Sequence, residues 1–99
     1  MLYAIIGTDV PASRQRRSQT RPRHLAYIRP LVDAGRVIIA GPLPAIDTQE
    51  IQSVDITGSL IVAEFESIDD ARAWADNDPY LIEGVFADVT VKPFVQVLP

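Results

Sequence analysis

Three short runs of apolar residues in this chain lack the alternation of polar and apolar side chains that a strand with one solvated face shows. They are Leu2–Ile6, Val37–Ala40 and Leu60–Ala63. Successive side chains on a strand point to opposite faces, so each run predicts a strand that is apolar on both faces. A sheet built from these strands needs a cover on each face.

The first helix is predicted between two of these strands. Apolar residues recur with helical spacing over 25–32. Pro22 suits the first position of a helix, and Gly35 suits the position just past its end. Pro30 lies inside the pattern and predicts a kink or a loosened turn. The arginine-rich segment 9–20 before Pro22 is expected to be a loop or a short irregular helix.

The second helix is predicted after the third strand, which is expected over 59–65. Ser67 followed by two aspartates favours a capped start with acidic residues in the first turn. Asn77-Asp78-Pro79 is expected to end this helix, and 80–84 to form one further turn or a loop.

The remaining strands and their connection are less regular. Gly41-Pro42 is expected to stop the second strand. The following segment, 43–57, is long for a connection between strands, and connections of that length are often functional or mobile. The last strand is expected at Val89–Val91 with Pro93 interrupting it, and an apolar tail covers 94–98.

The element order is strand, helix, strand, strand, helix, strand. That order indicates an α+β fold of the ferredoxin-like βαββαβ type, with an antiparallel sheet and both helices on one face. The 99 residues, 47% of them hydrophobic, suffice for one domain over residues 1–99. Because the helices cover one face only, we expect the other to pair with a second copy in a homodimer. A sheet with some exposed valine and isoleucine is the alternative.

Composition excludes several kinds of site. The chain has no cysteine, a single histidine and isolated glycines, so neither a metal centre nor a bound cofactor is expected. Its net charge of −4 argues against nucleic acid as a partner. The apolar run at the N-terminus is too short for a signal sequence or a membrane span, so no membrane association and a cytoplasmic location are expected.

His24 is the side chain best suited to proton transfer near neutral pH. It shares a helical face with Arg21 and Ile28, at the rim of the buried side. A packed histidine without a chemical role is the alternative. Arg21 is the best candidate within a basic run to hold an anionic substrate, because guanidinium matches carboxylate geometry. That run could equally be a solvated surface.

Three further residues allow two interpretations each. Asp78 precedes Pro79 and suits the N-cap of a following turn. Tyr80 and Tyr27 could belong to the core or to a pocket wall. Ser59 begins a strand without a nucleophile-elbow motif, which argues against a serine hydrolase.

Several motifs together resemble the YCII-related (YciI-like) family along nearly the whole chain. This resemblance implies the dimeric α/β-barrel superfamily, in which two ferredoxin-like sheets face each other. It also implies an active site built on a histidine–aspartate pair, here His24 and Asp78, with Ser59 bordering the cleft. The motifs are Arg21-Pro22-Arg23-His24-Leu25, Gly35-Arg36, Ala40-Gly41-Pro42, Gly58-Ser59, Ala63-Glu64-Phe65, Ala73-Trp74-Ala75-Asp76-Asn77-Asp78-Pro79-Tyr80 and Val91-Lys92-Pro93-Phe94.

Two functions fit these residues. The first is a cofactor-independent enzyme of lyase, isomerase or dehydrohalogenase type. In it, His24 and Asp78 transfer a proton on a small anionic or cyclic organic substrate bound by Arg21, Ser59 and Tyr80. The second is a non-catalytic module that binds a small ligand or regulates, on the same dimeric scaffold.

Overall fold

The computed structural model describes all residues from Met1 to Pro99, with seven helices and strands and a turn of 3-10 helix at Ile51–Ser53. The elements in chain order are β1 (Leu2–Asp9), α1 (Arg14–Asp33), β2 (Val37–Pro44), β3 (Ile56–Glu64), α2 (Ile68–Asp76), α3 (Pro79–Ile82) and β4 (Phe86–Phe94).

The four strands form one sheet in the order β2-β3-β1-β4, and every neighbouring pair is antiparallel. The connection through α1 passes over β3, and the connection through α2 and α3 passes over β1. This is the ferredoxin-like βαββαβ arrangement, so the predicted fold class is confirmed.

The core lies between the sheet and the two longer helices. Ile5 of β1 sits between Ile61 of β3 and Val91 of β4 in the strand register. These side chains pack with Ile28 of α1 and Ala71 of α2 in one buried cluster. One face of each central strand is therefore covered by helix, as an apolar face requires in water.

The outer face of the sheet carries apolar side chains without a helix over them. Ala4 and Ile6 alternate with the core residues of β1, and they pair in register with Val62 and Leu60 of β3. Ile39 on the neighbouring edge strand is 55% exposed. We call this surface the outer sheet face: Leu2, Ala4, Ile6, Ile39, Leu43, Leu60, Val62 and Phe94.

Helix α1 begins at Arg14, well before Pro22, so the prediction that Pro22 starts the helix was wrong. Pro22 lacks the N–H that would bond to the carbonyl of Ser18, and this removes one hydrogen bond from a helix of 20 residues. Tertiary packing of the buried face outweighs that loss. The buried residues of α1 are Thr20, His24, Ile28 and Leu31.

The end of α1 matches the prediction at Gly35. The helix continues through Pro30 to Asp33, and the Pro30 carbonyl accepts a hydrogen bond from the N–H of Ala34 at 3.1 Å. Gly35 follows with φ of +70°, the left-handed conformation that glycine adopts without a steric penalty. Pro30 therefore lies within the last turn.

Strands β2 and β4 run through prolines that were predicted to stop them. Strand β2 includes Pro42 and Pro44, and β4 includes Pro93. Both are edge strands, and an edge strand tolerates proline because one side of its backbone has no neighbouring strand. In contrast, the N-cap prediction for α2 is confirmed: Ser67 Oγ accepts from the N–H of Asp70 at 3.1 Å.

Candidate active site

A cavity of about 830 Å³ lies between α1, the inner side of β2 and β3, and the connection that follows β2. Leu25, Ile28 and Ile61 give it an apolar wall. Polar groups enter from α1 and from Ser59. A concave, largely apolar space with a few converging polar groups is typical of a small-molecule site.

His24 and Asp78 meet at one end of this cavity. His24 Nδ1 lies 2.8 Å from Asp78 Oδ1, and the two residues are 9% and 2% exposed. The same carboxylate oxygen accepts the backbone N–H of Tyr80 at 2.9 Å. Asp78 is thus both the N-cap of α3 and the partner of the histidine.

This geometry sets the histidine tautomer. An ionised carboxylate can only accept hydrogen bonds, so Nδ1 of a neutral His24 carries the proton and donates it to Asp78. Nε2 then holds a lone pair. It has no partner within the protein, yet it is not a buried unpaired atom, so it is open to the cavity that His24 lines. A lone pair in that position can accept a proton from a bound molecule.

Tyr80 forms the neighbouring wall. Its ring stacks on the His24 imidazole, with centroids 3.9 Å apart and planes within 8° of parallel. The ring of Phe86 meets Tyr80 edge to face at 5.4 Å. Tyr80 is buried among these groups, and it lines the cavity together with His24.

Burial raises the pKa of the Tyr80 hydroxyl above the ordinary tyrosine value of 10.0. Arg17 and Arg21 act against this rise, and the carboxylate of Asp78 adds to it. Tyr27 shows the same direction: burial and then Asp78 raise its pKa. Both hydroxyls therefore stay protonated at neutral pH. That of Tyr27 donates to the carbonyl of Trp74 at 2.7 Å.

Arg17 is held by oxygens of the protein. Its Nε and Nη2 lie 3.0 and 3.1 Å from the two carboxylate oxygens of Asp9. Nη2 also lies 2.7 Å from Ser59 Oγ and 3.2 Å from the carbonyl of Gly58. Ser13 donates its hydroxyl to Asp9 at 2.6 Å. The result is a nearly buried ion pair that joins α1 to β1 and β3.

The cavity lining carries positive charge, although the net charge of the whole chain is −4. Arg14, Arg17 and Arg21 line it, and no carboxylate does. Arg14 donates to the carbonyl of Gln52 at 3.0 Å, and Asp9 neutralises Arg17. Neither Arg14 nor Arg21 has an ion-pair partner in the chain, so both positive charges are uncompensated, and Arg21 is the one that shares a helical face with His24.

The five residues assigned to a site from the sequence lie at this cavity, whereas Tyr27, the other candidate for a pocket wall, stacks on Trp74 and does not line it. His24, Arg21, Ser59 and Tyr80 line it, and Asp78 lies directly behind His24. Sequence reasoning missed Asp9 and gave Arg17 no role of its own. A signal was present, since Arg17, Arg21 and His24 follow each other at helical spacing once α1 begins at Arg14.

Two further structural features bear on the kind of site. No group of three or more His, Cys, Asp or Glu side chains is placed to hold a metal ion. None of the helices combines the length and apolarity needed to cross a lipid bilayer.

The fold and the cavity are those of a small α+β protein with a histidine–aspartate pair, and comparison with known proteins identifies its family. The profile of the YCII-related domain matches residues 1–95, and the chain belongs to this family. Protein YciI of Escherichia coli O6:H1 is 47% identical over 97 residues, which cover 98% of this chain and 99% of that protein. An uncharacterized protein of Haemophilus influenzae is 42% identical over the same length.

Among the solved structures similar to this chain is one that matches almost its whole length. It is the 5-chloro-2-hydroxyhydroquinone dehydrochlorinase TftG from Burkholderia phenoliruptrix AC1100, in complex with 2,5-dihydroxybenzoquinone. The TM-score is 0.85 at 34% sequence identity, and the match covers 96% of this chain and 94% of that one. A protein of similar fold is thus an enzyme named for removing chlorine from a small hydroxylated ring.

Proposed function

We propose that this protein is a cofactor-independent acid–base enzyme that eliminates a leaving group, of dehydrohalogenase or lyase type, from a small anionic cyclic substrate. The observation that carries the proposal is the His24–Asp78 pair, with Nδ1 tied to the carboxylate at 2.8 Å and Nε2 free toward the cavity. A fixed imidazole with one open nitrogen is the arrangement that a general base needs.

Asp78 contributes to this chemistry in two ways. It keeps the proton on Nδ1, so that Nε2 is the nitrogen that accepts the substrate proton. When His24 becomes protonated during the reaction, the nearby carboxylate stabilises the positive charge of the imidazolium. Since the carboxylate is also held by the backbone of Tyr80, neither effect requires the side chain to move first.

The arginines favour an anionic substrate. Arg21 offers an uncompensated guanidinium on the face of α1 that also carries His24. It would bind a phenolate, enolate or carboxylate group of the substrate beside the histidine. Ser59 and Tyr80 would contact the ring from the other sides of the cavity.

The phenolic substrate reacts as its keto tautomer, in which the ring carbon that carries the halogen is tetrahedral and also bears a hydrogen. In the proposed elimination, Nε2 of His24 takes a proton from an O–H or C–H group of this tautomer that is conjugated or adjacent to that carbon. The electron pair released moves into the ring system, the bond to the leaving halogen breaks, and halide departs with that bond's electrons. The products are the unsaturated ring compound, halide ion and protonated His24, which returns its proton to solvent. No electron acceptor outside the substrate is required.

The dehydrochlorinase activity of TftG supports this reaction class, because that protein shares the fold at 34% identity. The direct test is to incubate the purified protein with 5-chloro-2-hydroxyhydroquinone and related chlorinated hydroquinones, and to measure chloride release. We expect release above the rate without protein. The variant Arg72→Ala, at an exposed position of α2 away from the cavity, serves as a control and should match the wild type.

A binding module is the competing function, and the same assay separates the two. A protein that binds 2,5-dihydroxybenzoquinone in the cavity but releases no chloride from any compound of this class would contradict the enzyme proposal. The variant Arg21→Met gives a second measurement. We expect it to raise KM for anionic substrates more than it lowers kcat, because it removes binding charge and not the base.

We further propose that the protein acts as a homodimer through the outer sheet face. This surface carries eight apolar residues with no helix over them. Contiguous apolar surface of this kind marks an interface more often than it faces water. Thr90 and Lys92 on β4 give the face a polar margin, as interfaces commonly have.

A further inference from the structure

Tyr80 lies between two side chains of the same helix. Its ring is 3.9 Å from the imidazole of His24, and the guanidinium carbon of Arg17 is 4.7 Å from its centroid. Arg17 and His24 are seven residues apart, or about 10.5 Å along the helix axis. The ring of Tyr80 contacts both side chains, the imidazole by stacking and the guanidinium as a cation–π partner.

The guanidinium of Arg17 is held in place by neighbouring oxygens. Asp9, whose side chain is 1% exposed, holds Arg17 through both carboxylate oxygens. The hydroxyl of Ser59 and the carbonyl of Gly58 engage the same guanidinium from β3. Strands β1 and β3 therefore fix both the position and the plane of the Arg17 guanidinium.

His24 makes one side-chain hydrogen bond, and a single hydrogen bond leaves the plane of the imidazole some freedom to tilt. With Nδ1 bonded to Asp78, small rotations about the Cβ–Cγ bond still tilt the imidazole plane, and such a tilt turns Nε2 from its direction into the cavity. Face-to-face contact with Tyr80 fixes the plane. The stack and the hydrogen bond together leave the ring a single orientation.

We propose that the Asp9–Arg17 ion pair is a positioning element for His24, acting through the ring of Tyr80. Arg17 contacts the ring of Tyr80 as a cation–π partner, and Tyr80 in turn stacks on the imidazole and holds its plane. Arg17 is thereby assigned to positioning and Arg21 to substrate charge. The catalytic meaning of this arrangement rests on the proposed function, but the arrangement itself can be tested without substrate.

The test uses the fact that His24 is the only histidine, so its ring protons are identified without ambiguity by NMR. Protons above the face of an aromatic ring are shifted upfield, and we expect the His24 ring protons to show this shift. The variant Arg17→Lys keeps a positive charge near Asp9 but lacks the flat guanidinium. We expect its His24 resonances to move downfield, toward those of an unstacked imidazole.

Two further variants complete the test. Arg23→Met is the matched control, because Arg23 lies on the same helix and pairs with Glu83 without touching Tyr80. Its His24 resonances should stay at the wild-type positions. Tyr80→Phe retains the ring without the hydroxyl, and it should retain the upfield shift.

Loss of Arg17 alone leaves Asp9 as an unpaired buried carboxylate, and such a protein could fail to fold. The double variant Asp9→Asn with Arg17→Met removes both charges. It therefore leaves no unpaired buried carboxylate, and it still removes the contact between the guanidinium and Tyr80. Downfield movement in Arg17→Lys and in the folded double variant, with Arg23→Met unchanged, supports the proposal. Wild-type His24 resonances in those two variants overturn it, whatever the chloride assay shows.

Discussion

At the residue scale, a single carboxylate oxygen of Asp78 accepts two hydrogen bonds. Its Oδ1 accepts the N–H of Tyr80 as the cap of α3 and faces Nδ1 of His24. The sequence could suggest each use separately, from the Asp-Pro pair and from family resemblance. It could not show that both act at once, because that depends on how α3 sits against α1.

The dual use of Oδ1 predicts a difference between two substitutions of Asp78. Asn retains the acceptor oxygen and caps helices about as well as Asp, so Asp78→Asn should lower the free energy of unfolding by less than about 1 kcal/mol. Ala removes the cap and leaves Nδ1 without an acceptor, so Asp78→Ala should cost about 2–4 kcal/mol. Urea unfolding measures both. Equal losses would contradict the shared-oxygen geometry.

In the chloride assay, Asp78→Asn should also be slower than the wild type. It keeps the tautomer but removes the charge that stabilises protonated His24. We expect a loss smaller than the roughly 10²–10⁴-fold that removal of a general base causes. Wild-type turnover in Asp78→Asn would show that the carboxylate charge contributes nothing.

The tyrosines predict how stability depends on alkaline pH. Burial raises the pKa of Tyr80 and Tyr27 in the folded protein above 10.0, the ordinary value that applies when the chain is unfolded. Between the unfolded and folded pKa values, the unfolded chain has released protons that the folded chain retains. Their contribution to stability is therefore complete below about pH 10 and is lost as the pH rises further.

Urea unfolding at pH 9 and pH 11 checks this dependence. The wild type should lose more stability between these values than the double variant Tyr27→Phe with Tyr80→Phe, which has no such hydroxyls to ionise. Identical losses in the two proteins would assign the alkaline destabilisation to other groups.

At the element scale, α1 shows where sequence patterns fail. Helical spacing of apolar residues located its second half, which packs on the sheet. The first half buries Thr20 and holds Arg17 in an ion pair, so it has no apolar period to recognise. Likewise, prolines in β2 and β4 looked like strand ends, because edge position is known only once the strand order is known.

The interior position of Pro22 predicts that its replacement stabilises the protein. Proline inside a helix costs about 3 kcal/mol relative to Ala. Ala makes the unfolded chain more flexible, which offsets up to about 1 kcal/mol of the gain. We expect Pro22→Ala to raise the free energy of unfolding by about 2–3 kcal/mol. Pro99→Ala, at the exposed C-terminus, is the control and should change nothing.

Urea or thermal unfolding of these two variants gives the answer. A destabilised Pro22→Ala would mean that the proline ring makes packing contacts worth more than the hydrogen bond it removes.

At the scale of the whole molecule, the outer sheet face connects the sequence to the proposed dimer. The runs in which polar and apolar residues do not alternate predicted a sheet that is apolar on both faces. The structure has such a sheet, and helices cover only one of its faces. The element order likewise sufficed for the ferredoxin-like topology. The proposed pairing of two sheets was inferred from the uncovered face and stays a prediction.

A single charged substitution on the outer sheet face tests the proposed homodimer. Light scattering at micromolar concentration should give about twice the chain mass of 10.9 kDa. Ile39→Asp places a carboxylate on the outer sheet face and should shift the protein toward monomer. Ile82→Asp is the matched control, since Ile82 is 62% exposed but lies on α3, away from the sheet. It should leave the mass unchanged.

If the wild type is a stable monomer, or if Ile39→Asp dimerises as well as Ile82→Asp, the outer sheet face is not the interface. The cavity lies on the opposite side of the sheet, under α1. The dimer and the acid–base site can therefore fail or succeed independently.

The central claim is that His24 is the base of an elimination reaction, and His24→Gln tests it most directly. The measurement is chloride release from 5-chloro-2-hydroxyhydroquinone, in parallel with binding of 2,5-dihydroxybenzoquinone to the same variant. We predict that turnover falls by roughly 10²–10⁴-fold while the quinone still binds, because the arginines and the cavity wall are intact. Wild-type turnover in His24→Gln would contradict the account.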